Sequence, residues 1–167
     1  MRERGDQGPV QRAGMVLGLG LGGFVDGIVL HQILQWHHML TSAGYPPDSV
    51  RNLQINTLAD GLFHAATWVL TFVGLLMLWG VRRAGAAWTR QTVIGAMLMG
   101  WGIFNLVEGI VDHQLLGIHH VRPGPNQLFW DLAFLAFGAL LLLVGWMLVR
   151  GDRPKPAGTG ATTGSRS

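Results

Sequence analysis

The chain has no cysteine. That absence removes disulfide frameworks, thiolate metal sites and cysteine nucleophiles together, so any metal chemistry must use imidazole, carboxylate, thioether or water. Charge is scarce as well, at 13% of residues, about half of what an ordinary soluble domain carries. Apolar residues make up 49%, which favours a membrane class. The small basic excess of +3 and the pI near 10.6 do not form a nucleic-acid patch. Arg2, Arg4 and Arg12 precede the first apolar run, Arg82, Arg83 and Arg90 lie in the middle loop, and Arg150, Arg153 and Lys155 follow the last run. By the positive-inside rule this distribution predicts a multi-pass protein of a bacterial cytoplasmic (inner) membrane with both termini cytoplasmic.

What is present is four long apolar runs, at about 13–40, 54–80, 91–119 and 127–150. Each is long enough to cross about 30 Å of hydrocarbon at 1.5 Å per residue. The expected fold is all-α, a bundle of four transmembrane helices occupying 13–150. Residues 1–12 read as a cytoplasmic tail and 151–167, rich in Pro, Gly, Ser, Thr and Arg, as a disordered cytoplasmic tail. The first run begins like a signal peptide, but no small-x-small cleavage site closes it before His31, so it is expected to stay. Turn residues Gly44, Pro46, Pro47 and Asp48, and later Pro123, Gly124 and Pro125, mark two extracytoplasmic loops.

The segment from Asp26 to His38 occurs twice. Asp26-Gly27-Ile28-Val29, His31-Gln32 and His37-His38 are matched at a constant offset by Glu108-Gly109-Ile110-Val111, His113-Gln114 and His119-His120. Met15, Gly18, Gly20 and Val25 extend the match to Met97, Gly100, Gly102 and Val107. A second offset aligns Asp60, Phe63 and Gly74 with Asp131, Phe134 and Gly145. The repeat unit is therefore a helical hairpin, and two tandem copies of equal topology predict a pseudo-twofold axis along the membrane normal. Gly14, Gly18 and Gly22, and Gly23 and Gly27, recur every four residues, giving faces for close helix packing and for a homodimer.

Ionisable groups within a span cost several kcal/mol unless they pair, face the protein interior or line a wet cavity. On regular helices the residues here divide by depth into two layers. The inner layer is His31, His64 and His113, with Asp60, Asp131, Asp26 and Glu108 as ligands or as acceptors orienting the imidazoles. The outer layer is His37, His38, His119 and His120, about 10 Å from the deep histidines along a straight helix. Such a set suits copper, zinc, iron or manganese. Asp112 has no counterpart, because Leu30 occupies the matching position, so the halves are not chemically equivalent. The inner halves of the spans carry almost no polar residues, which argues against transport.

Gly23 to Gln32 with Trp36-His37-His38, then Asp60-Gly61-Leu62-Phe63-His64, then Glu108 to Gln114 with His119-His120, resemble the bacterial membrane family called domain of unknown function 2243. The resemblance covers nearly everything between the tails. It implies a four-helix membrane protein whose relatives are often encoded near assembly proteins of copper-containing terminal oxidases. The leading expectation is thus a lipid-embedded protein binding a transition metal ion on its extracytoplasmic side, copper favoured over zinc or iron, in metal handling or with respiratory oxidase assembly proteins as partners. The alternatives are a haem b protein with His31 and His113 as axial ligands, and a di-metal membrane oxidase.

Overall fold

The computed structural model describes residues 7–86 and 88–152. Half of the first expected tail, 1–6, and most of the second, 153–167, lie outside the described residues, and residues 8–12 are already helical. Among the described residues there are four α-helices: α1 Gly8–Asp26, α2 Val50–Arg83, α3 Arg90–Glu108 and α4 Gln127–Gly151. With their extensions, all four are long and apolar enough to cross a membrane. Ser49 starts α2 and Thr89 starts α3, each side-chain oxygen accepting a backbone N–H three residues on, at 3.2 and 3.1 Å.

The helices stand in the row α2, α1, α3, α4 rather than closing into a four-cornered bundle. α1 packs on α2 and on α3, and α4 packs on α3; among the described residues the backbone of α2 approaches neither α3 nor α4 within 8 Å. Glycine decides this order. A Cβ on Gly18 would strike the backbone of Met97, and one on Gly100 would strike that of Met15, so α1 and α3 touch main chain to main chain. Gly23 and Gly27 turn to Thr67 and His64 of α2, and Gly102 to Gly138 of α4. The glycine faces expected to serve a homodimer are thus covered within one chain. The outer faces of α2 and α4 expose Leu62, Trp68 and Trp79, and Leu128, Phe129 and Leu140, as lipid contact requires.

α1 and α3 do not run on to residues 40 and 119. Each widens into a π-helical segment, Gly27–Ile33 and Gly109–Leu115. The widening continues beyond it: Leu34 N–H bonds Val29 and Trp36 N–H bonds Leu30, while Leu116 bonds Val111 and Ile118 bonds Asp112. Gln35 (φ 50°) and Gly117 (φ 58°), at matching positions, then take the left-handed conformation that ends the coil. The chain folds back instead of climbing out of the span.

Candidate metal centre

The fold-back puts His37 beside His31, with ring centroids 4.4 Å apart, and His119 beside His113, at 4.9 Å. His37 and His119 stack on each other at 4.8 Å. The two layers expected from regular helices are therefore one. The widened coil and the left-handed turn at Gln35 interrupt the steady rise between His31 and His37, so the depth estimate from a straight helix does not apply.

Three of the four imidazoles are hydrogen-bonded through Nδ1, and the fourth turns its Nδ1 the same way. His31 Nδ1 donates to Asp60 Oδ1 at 3.0 Å. His37 Nδ1 donates to the Val121 carbonyl at 2.9 Å, and His119 Nδ1 to the Met39 carbonyl at 3.2 Å, so each half holds a ring of the other. His113 Nδ1 faces Asp131 Oδ1 at 3.6 Å. With Nδ1 directed outward, Nε2 is the nitrogen left for a ligand. His31, His37, His113 and His119 are all buried, and the Nε2 atoms of the first three have no hydrogen-bond partner. His119 Nε2 lies 3.3 Å from Glu108 Oε1, and His31 Nε2 lies 3.3 Å from Asp26 Oδ2.

Three groups of donors form, each with ligand atoms within 4.8 Å of one another: His31, His37 and His119; Glu108, His113 and His119; Asp26, His31 and Glu108. His37 and His119 are buried and stacked among the other imidazoles, and a neutral ring there offers its Nε2 lone pair to a cation. Burying two carboxylates this close together costs free energy that a cation between them offsets.

The remaining histidines have other places. His38 Nδ1 donates to Asp60 Oδ2 at 2.7 Å, and His120 Nδ1 to Asp131 Oδ2 at 2.8 Å. Each aspartate so links a partly exposed histidine to a deep one. Asp60 also accepts from Gln32 Nε2 and Met39 N, and Asp131 from Val121 N, which fixes the fold-back against the neighbouring helix. His64 stands apart from the cluster. Its Nδ1 donates to the Asp60 carbonyl at 2.7 Å within α2, and its ring packs over Gly27 as the matched Leu135 packs over Gly109.

Three contributors carry too weak a sequence signal to be singled out. Asn56 is fully buried, accepts from Leu40 N and donates to the Tyr45 carbonyl, pinning the first outer loop. The Val121 and Met39 carbonyls are backbone groups, invisible to any reading of side-chain type.

No curated protein and no solved structure matches the chain. A family model described as a predicted membrane protein, domain of unknown function 2243, matches residues 13–152, and the chain belongs to that family.

Proposed function

We propose that this protein binds a transition metal ion within the membrane, through His31, His37, His113 and His119 with Asp26 and Glu108. The observation that carries the reading is the outward hydrogen bond of Nδ1 on His31, His37 and His119, with His113 Nδ1 facing Asp131 at 3.6 Å, which leaves Nε2 and two carboxylates facing one buried space. Imidazole anchored through its second nitrogen to a carboxylate or carbonyl is the usual support of a metal ligand. An imidazole-rich, thiolate-free set with the affinity order of divalent ions favours copper over zinc or iron. Asp60 and Asp131 orient ligands, with His38 and His120 behind them.

The matched roles of the two halves support a pair of hairpins related by a pseudo-twofold along the membrane normal. The arginines beside the inner ends support cytoplasmic termini in a bacterial inner membrane and an extracytoplasmic metal centre. A part in metal handling or in terminal oxidase assembly rests on the family resemblance.

A two-metal centre is the second reading. Asp26 with His31, and His113 with His119, form two donor groups that meet at Glu108, a carboxylate placed to bridge. Haem fits less well, because His37 and His119 stack beside both His31 and His113 and take the space a macrocycle needs.

Purified protein loaded separately with Cu(II), Zn(II) and Fe(II) and then desalted is expected to retain stoichiometric metal, copper most firmly, with no Soret band. Loss of that metal in His31→Ala and His113→Ala is the expected control. Native protein that retains none of the three overturns the proposal.

A further inference from the structure

A cavity of about 240 Å³ lies beside the imidazole cluster, between α1 with its π-helical extension, α3 and α4. Trp101, Trp130, Phe134 and Phe137 supply aromatic walls. Trp130 is held in place by Trp36, at a ring distance of 5.0 Å, and by the Arg122 guanidinium over both indoles. Val25, Val29 and Phe137 at its rim are 41%, 37% and 44% exposed on spanning segments, so the opening faces lipid.

Two polar groups interrupt this apolar lining. Asn105, 3% exposed, has its Oδ1 buried with no hydrogen-bond partner, and Asp26, whose Oδ2 lies 3.3 Å from His31 Nε2, lines the same cavity. Both atoms only accept. A buried acceptor left unpaired costs about 1–3 kcal/mol, which a ligand that donates a hydrogen bond removes. Flat rings suit aromatic walls, through edge-to-face and offset contacts.

The corresponding cavity of the other half, about 190 Å³ beside Glu108, lacks these features. Leu19 stands where the first has Trp101, and Asp112 where it has Leu30. The position matching Asn105 is Gly23. Only the first cavity combines indole walls with an unpaired amide oxygen.

We infer that this cavity binds a lipid-soluble hydroxyaromatic, a phenol or hydroquinone ring whose hydroxyl donates to Asn105 Oδ1. The ring enters from the bilayer and lies among the four aromatic side chains, its hydroxyl on the side of Asp26 and the imidazole cluster. Asn105 and the aromatic walls are no part of the donor set, so the site exists without bound metal and stands or falls separately from the metal reading.

The test uses metal-free protein in lipid nanodiscs, titrated calorimetrically with 4-pentylphenol and with 4-pentylanisole, which has the same ring and no donor, after subtraction of empty nanodiscs. Saturable binding of one phenol per chain is expected, with the anisole about tenfold weaker or more, since a site built for a hydroxyl rejects the analogue lacking it. Asn105→Leu is expected to abolish the difference between the two ligands. Ala133→Phe, at an exposed position of the lining, is expected to block both. Equal affinity for phenol and anisole, or saturable phenol binding that survives Ala133→Phe, overturns the inference.

Discussion

The imidazoles of His37 and His119 stack with centroids 4.8 Å apart and planes 8° from parallel, although each belongs to a different half of the chain. Each is anchored by a backbone carbonyl of the opposite half, Val121 for His37 and Met39 for His119. The halves are therefore joined at the candidate metal centre itself, and residues that sequence depth places at the boundary become its middle.

Metal retention should follow this grouping. His37→Ala and His119→Ala are expected to weaken metal binding at least as much as loss of an orienting group, about 10–100-fold, while His64→Ala leaves it unchanged. Competition against a chelator of known affinity measures this. Unchanged affinity in both His37→Ala and His119→Ala, or a comparable loss in His64→Ala, contradicts the six-residue set.

Asp60 and Asp131 should matter for both binding and stability. Asp60→Asn is expected to lower metal affinity about 10–100-fold, through its partner His31. Asp60→Ala leaves His31, Gln32, His38 and Met39 N–H without their acceptor, and is expected to cost about 3 kcal/mol or more. Thermal unfolding of the metal-free protein in detergent reads the second effect; an unchanged midpoint refutes it.

The left-handed turn at the end of each widened coil gives an asymmetric pair of variants. Gly117→Ala is expected to cost about 1 kcal/mol, and Gln35→Gly to be neutral or stabilising, because only glycine takes this conformation without steric cost. Unfolding midpoints of the two variants, compared with native protein, decide it.

The α1 and α3 contact is the least tolerant place in the fold. Gly18→Leu and Gly100→Leu would each drive a side chain into the facing backbone, and are expected to abolish stable folding, whereas Gly61→Leu on an open face is harmless. Yield and monodispersity after detergent extraction test this.

The four helices, the tandem acid-Gly-Ile-Val motif and the pairing of deep histidines with Asp60 and Asp131 were legible in the sequence, because hydropathy and repetition report directly on residues. His64 also has its Nδ1 on a carbonyl, but its ring packs over Gly27, apart from the three donor groups.

By itself the sequence determined the chemistry on offer: no thiolate, seven histidines, scarce charge and four runs long enough to span a bilayer. Only the tertiary structure decided which of those groups meet. The physical reason is the π-helical widening, which replaces the steady rise of a regular helix by a fold-back and so brings His37 and His119 onto His31 and His113. Glycine-to-backbone contact of α1 with α3 then sets the two halves close enough to share one buried space.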